Sequence, residues 1–203
     1  MAKYLLYIIS GILAYCLGSV SVGIIVSRIA KGPDLHTVGS KNTGASNVLR
    51  TMGWKYGLIT FFGDCLKAIL ACLIGKWLIG DLYGVLFCGI MVILGHNWPV
   101  FFAFKGGKGV ASSCGVMLIC FPVPALIGYI FAIAIIALTK YISLGSMCML
   151  VIYAVTVSCC FSGGDTVIIL WSILLAILCL IRHRTNIIRL VKGNENKFGQ
   201  RIK

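Results

Sequence analysis

The sequence predicts an all-α integral membrane protein with seven transmembrane helices, its N-terminus outside and its C-terminus cytoplasmic. Three observations carry that expectation: an apolar composition, a series of hydrophobic runs near membrane length, and a one-sided placement of Lys and Arg. Of the 203 residues, 60% are hydrophobic and 11% charged, against about 25% charged in an ordinary soluble domain. No polar segment is long enough to build a separate soluble core, so a single multi-pass membrane domain over residues 1–203 is expected.

A helix rising about 1.5 Å per residue needs about 20 apolar residues to cross the hydrocarbon layer. Residues 4–26, 57–79 and 143–161 meet that length. Shorter runs at 82–97, 110–121, 123–139 and 166–181 are separated by Gly80-Asp81, the polar loop around Lys105, Phe121-Pro122 and the stretch from Ser162 to Asp165. A five-span arrangement with the short helices re-entrant is the alternative. The first run begins near Lys3 and vaguely resembles a lipoprotein signal at Leu13 to Cys16, but Tyr15 is too bulky beside a cleavage site, so it is read as a transmembrane helix.

Loops rich in Lys and Arg stay in the cytoplasm. With seven passes and the N-terminus outside, the inner segments hold Arg28, Lys31, Lys41, Arg50 and Lys55, then Lys105 and Lys108, then Lys140. The tail adds Arg182, Arg184, Arg189, Lys192, Lys197, Arg201 and Lys203, making fifteen of the 18 basic residues. Lys3 and Lys76 fall outside, and Lys67 lies within a span. The expected cytoplasmic loops are about 28–56, 97–109, 140–143 and 182–203. A net charge of +13 suits anionic lipid or an anionic substrate. Nucleic acid is not an expected partner, because no basic domain with exposed aromatic platforms stands outside the apolar runs.

Two polar segments are candidates for binding phosphate. The run from Val38 to Arg50 offers hydroxyls from Ser40 and Thr43, amides from Asn42 and Asn47, close backbone approach at Gly39 and Gly44, and a bidentate cation in Arg50. Its plain alternative is a loop with a helix cap. The second, Lys105-Gly106-Gly107-Lys108-Gly109, opens a helical run, so glycine N–H groups, two lysines and a helix N-terminus converge on one place. The alternative is a basic turn that only sets topology. The GxxxxGK[ST] spacing is absent, which excludes a nucleotide-hydrolysing loop of that kind.

Asp64 and Lys67 are three apart in the second run, so they share a helix face and neutralise one another; a structural role facing the bundle is expected. The cluster Arg182-His183-Arg184-Thr185-Asn186 ends the last run, where a headgroup anchor is the simple reading. No Ser-His-Asp triad can be assigned, and the HxxxxD acyltransferase dyad is missing, since residues 41, 101 and 188 are Lys, Phe and Ile. The ten cysteines lie in apolar runs without metal-ligand spacing and are expected to act mostly as small buried hydrophobes; no metal or cofactor is expected.

In order and spacing, the segments Gly18 to Gly23, Gly39 to Arg50, Gly95 to Phe101, Lys105 to Gly109, His183 to Asn186 and Lys192 to Lys197 closely resemble the bacterial acyl-phosphate:glycerol-3-phosphate acyltransferase family. The resemblance implies a multi-pass enzyme of the bacterial cytoplasmic membrane with its site facing the cytoplasm. Its partners would be acyl phosphate, glycerol 3-phosphate and membrane lipids, and its products lysophosphatidic acid and phosphate. It further implies that Ser40 and Arg50 are essential, that Lys105 to Gly109 bind glycerol 3-phosphate, that His183 and Asn186 support activity, that Glu195 is a structural acid, and that Ser143 lies near the site. Lys41 stands where the family commonly has a small residue, and Thr43 and Ser46 are variants. Acyl phosphate is a mixed anhydride with a good leaving group, so no covalent nucleophile is needed; positioning and charge stabilisation suffice. A transporter for a phosphorylated anion and a lipid-binding scaffold are the competing classes, but the basic motifs gather at one face and the halves show no evident inverted repeat.

Overall fold

The computed structural model describes residues 2–199, all of whose regular structure is helical. Arg201 and Lys203, assigned above to the basic tail, lie outside the described residues. The chain divides into two compact units, residues 2–120 and 121–199 of the described chain.

The first unit contains α1 (Ala2–Ser19), α2 (Val22–Ile29), α3 (Ala45–Met52), α4 (Trp54–Ile79), α5 (Leu82–Asn97) and α6 (Val110–Cys120). At its centre, α4 packs against each of the other five. Its buried face carries Asp64, Lys67, Ala68, Ala71, Cys72 and Gly75, a spacing of three and four that sets one helical stripe inward. Small residues also bring α1 and α5 close: a side chain at Gly18 would strike the Val92 carbonyl, and one at Gly95 the Tyr15 carbonyl. The outer stripes are the reverse, with Ile8, Ile12, Leu66 and Leu70 exposed, the pattern of a surface meeting hydrocarbon.

The second unit contains α7 (Pro122–Thr139), α8 (Ile142–Thr156), α9 (Thr166–Arg182) and α10 (Arg184–Val191). Here α8 packs against both α7 and α9, and it ends in a π-helical turn at Val157–Phe161.

The sequence breaks are physical helix ends. Gly80 ends α4 with a left-handed φ of 86°, and the Asp81 carboxylate caps α5 by accepting from the Gly84 N–H at 2.9 Å. Asp165 caps α9, accepting from Val167 and Ile168 at 2.7 and 3.3 Å. Pro122 opens α7, where its missing N–H would have been unpaired anyway.

By length and composition, five helical segments among the described residues can cross a membrane: Ala2–Ile29, Trp54–Ile79, Leu82–Phe102, Pro122–Thr139 and Ile142–Phe161. A sixth requires α9 and α10 to count as one span despite a 62° bend between them. The remaining predicted run, Val110–Cys120, has 11 residues, which at about 1.5 Å each covers only half of the hydrocarbon layer.

Candidate active site

In the first unit, the polar segment between α2 and α3 is folded around Asn47. This side chain is 1% exposed. Its amide donates to the Leu35 and Val38 carbonyls at 3.3 and 3.2 Å, and its oxygen accepts from the Ser40 N–H at 2.8 Å. Both amide hydrogens are thus engaged with the loop backbone, so Asn47, expected as a substrate contact, holds the segment that presents Ser40. Gly39 has a φ of +60° and abuts the Asn47 oxygen, leaving no room for a side chain. Lys41 also has a positive φ, 55°, and is exposed. That left-handed conformation costs any residue carrying a Cβ about 1–2 kcal/mol.

Asn42 joins the two polar motifs. Its oxygen accepts from the Gly44 N–H at 3.0 Å, and its amide donates to the Gly106 carbonyl at 3.3 Å, 64 positions away. Thr43 is buried, and its hydroxyl has no hydrogen-bond partner in the structure. Arg50 is half-buried on α3, one turn beyond Asn47.

The glycine-lysine loop follows a 3-10 turn at Val100–Phe102 and leads into α6. Gly106, Gly107 and Gly109 are buried, Lys108 is half-buried and Lys105 is exposed. The expected convergence of glycine N–H groups is reduced at Gly107, whose N–H donates to the His96 carbonyl at 3.0 Å. Beneath the loop lies a buried charged cluster. Lys67 Nζ is 2.8 Å from Asp64 Oδ1 and 3.1 Å from His96 Nδ1, and it donates to the Gly18 and Val20 carbonyls at 2.9 and 2.7 Å. The sequence placed Asp64 and Lys67 on one face but did not identify His96 as a member. The available signal was a lone histidine ending an apolar run directly before Asn97-Trp98-Pro99.

In the second unit, Glu195 organises the third motif. It accepts from the Ser143 hydroxyl at 3.0 Å, from the Asn186 amide at 2.7 Å and from Arg189 Nε at 2.8 Å. Arg189 was visible in sequence only as one more basic residue of the tail. His183 is 2% exposed, so it does not serve as a headgroup anchor. Its Nδ1 lies 2.8 Å from the Cys179 carbonyl, which can only accept. The proton of a neutral ring therefore sits on Nδ1 and the lone pair on Nε2, the state of a potential base. The same side chain stands at the bend between α9 and α10. All ten cysteines are free; Cys72, Cys88 and Cys179 are buried, whereas Cys159 and Cys160 are exposed, so fewer are buried than expected.

Burial pushes the Glu195 carboxyl up, but the hydrogen bonds from Arg189 and Asn186, the Arg189 charge and the Ser143 hydroxyl outweigh it, holding the group below its ordinary value of 4.5. Its stabilising contribution is therefore complete above about pH 4.5 and is lost as pH falls through the lower folded value. Thermal unfolding of wild type should fall more steeply than that of Glu195→Gln between about pH 6 and pH 3. Parallel profiles would remove this role from Glu195.

Apolar helices of membrane length, joined to polar segments rich in cations, hydroxyls and glycine, define a polytopic membrane protein. The chain belongs to the glycerol-3-phosphate acyltransferase family, whose model, described as "Glycerol-3-phosphate acyltransferase", matches residues 8–193. It is 43% identical over 198 residues to a glycerol-3-phosphate acyltransferase of Finegoldia magna, covering 98% of this chain and 99% of the relative. It is 41% identical over 194 residues to that of Thermoanaerobacter pseudethanolicus, covering 96% of each. Among solved structures it is similar to PlsY (YgiH), an integral membrane glycerol 3-phosphate acyltransferase. The glycerol 3-phosphate form of that protein superposes with a TM-score of 0.88 at 38% identity, covering 95% of this chain and 96% of the other. The lysophosphatidic acid form gives a TM-score of 0.85.

Proposed function

We propose that this enzyme transfers a fatty acyl group from acyl phosphate to the 1-hydroxyl of glycerol 3-phosphate, giving lysophosphatidic acid and inorganic phosphate in the first step of phospholipid synthesis. The observation that carries the reading is the Asn42–Gly106 hydrogen bond, which ties the hydroxyl- and Arg50-bearing segment to the glycine-lysine loop. The buried, unpaired Thr43 hydroxyl supports it, because an unsatisfied buried polar group costs about 1–3 kcal/mol that a phosphate oxygen offsets.

In the reaction, the 1-hydroxyl oxygen bonds to the acyl carbonyl carbon, and the carbon–oxygen bond to the donor's phosphate breaks. The hydroxyl proton passes to a phosphate oxygen of the donor. Lys105, Lys108 and the Gly106–Gly109 backbone hold the glycerol 3-phosphate phosphate. Arg50 stabilises charge developing on the reacting acyl phosphate, and Ser40 orients a substrate by hydrogen bonding. Within the second unit, His183 and Asn186 support activity, and Ser143 and Glu195 hold the third motif in order.

An N-terminus outside, with these loops at the cytoplasmic face of the bacterial inner membrane, places the basic residues on the side that retains them. A reporter active only in the cytoplasm, fused after residue 203, should be active.

Purified protein in nanodiscs should form lysophosphatidic acid with acyl phosphate and not with acyl-CoA or acyl-carrier protein tested in parallel. Failure of intact protein with competent acyl phosphate would refute the donor assignment, and flux of glycerol 3-phosphate into liposomes would redirect the reading to transport. Ser40→Ala should lose most of its turnover. Full turnover would remove Ser40 from the site, and a trapped acyl-Ser40 would make it a nucleophile.

A further inference from the structure

His96 ends α5 beneath the glycine-lysine loop and touches that loop in two ways. Its carbonyl accepts the Gly107 N–H at 3.0 Å, and its ring Nε2 fills the place that a side chain on residue 107 would take. On the opposite edge of the ring, Nδ1 meets Lys67 Nζ at 3.1 Å and Asp64 Oδ1 at 3.5 Å. An ammonium has no lone pair, so Nδ1 accepts from Lys67 and the ring proton of a neutral His96 sits on Nε2, toward Gly107. The ring is 5% exposed, and Lys67 is itself fixed by the Gly18 and Val20 carbonyls. A fixed charge pair in the helical core is thus connected through one imidazole to the loop at its surface.

We propose that His96 is a positioning residue for glycerol 3-phosphate. It transmits the rigidity of the Asp64–Lys67 pair to the Gly106–Gly109 loop and so sets the backbone and Lys108 in register for the phosphate. The inference rests on the reading that this loop binds the phosphate of glycerol 3-phosphate. It predicts a selective defect, because a loop held in the wrong register weakens one substrate and leaves the acyl donor's binding intact.

The test is steady-state kinetics of the full-length protein in nanodiscs, with each substrate varied in turn. His96→Ala should raise KM for glycerol 3-phosphate by about tenfold or more, with KM for the acyl donor and kcat at saturation within about threefold. His96→Gln, whose amide reaches the Nε2 position, and His96→Asn, whose oxygen reaches the Nδ1 position, should each restore part of the loss. An unchanged KM for glycerol 3-phosphate, equal rises for both substrates, or a fall in kcat alone would overturn the proposal.

Gly107→Ala approaches the same contact from the loop and serves if His96→Ala does not fold. It should give the same selective defect, because its methyl group must displace the ring. Where both single variants fold, the pair should be markedly less than additive, since removing the ring makes room for the methyl; full additivity counts against the proposal. Lys105→Ala and Lys108→Ala separate the two levels of the argument. If neither raises KM for glycerol 3-phosphate, the loop reading itself fails. If they do and the His96 and Gly107 variants do not, only the positioning role fails.

Discussion

Replacing Lys67 with methionine is expected to destabilise the protein by about 3–5 kcal/mol, the usual cost of leaving one member of a buried ion pair without its partner. Asp64 and Lys67 have side chains 1% and 6% exposed and meet at 2.8 Å, so water cannot take over the role of either. Lys67 also donates to the Gly18 carbonyl at the end of α1 and to the Val20 carbonyl in the break before α2. A helix end leaves carbonyls without intrahelical partners, and here an ammonium from a neighbouring helix satisfies them. Methionine fills the volume but supplies neither the charge nor the donors. The double variant Asp64→Leu with Lys67→Met removes the orphaned carboxylate and should recover part of the loss, not all of it, because the two carbonyls stay unpaired. Thermal unfolding followed by thiol exposure suits this protein, since Cys72, Cys88 and Cys179 are buried. A Lys67→Met protein with wild-type unfolding would show that the pair contributes nothing.

The largest loss of activity is expected at Arg50. Arg50→Lys keeps the positive charge and loses the planar fork that grips two phosphate oxygens together. If Arg50 stabilises charge developing in the transition state, kcat/KM should fall by about 10²–10³, the range for removing one pre-positioned donor. Arg50→Ala should be at least as severe. Both should unfold near the wild-type temperature, because Arg50 is only half-buried. Initial rates with both substrates decide the matter: a Lys variant within about threefold of wild type would reduce Arg50 to a general positive charge.

Much of the fold was legible because membrane helices announce themselves by length and apolarity, and their ends by particular residues. Gly80-Asp81, Phe121-Pro122 and Asp165 all proved to be helix boundaries with a stated cap or proline. The end of the last apolar run near Arg182 was legible, but the 62° bend into α10 was not: it depends on the path of the chain at His183.

The sequence by itself determined a helical chain for an apolar solvent and the polar motifs carrying Ser40, Arg50, Lys105 and Lys108. Those properties follow from residue type and spacing, which are local. Only the tertiary structure decided what each polar group serves. Asn47 holds its own loop, Asn42 reaches Gly106 64 positions away, and Ser143 reaches Glu195 52 positions away. His96 links the Asp64–Lys67 pair to Gly107. A hydrogen bond is a short, directional contact, and its partner is chosen by how distant helices pack; no periodicity along the chain encodes that choice.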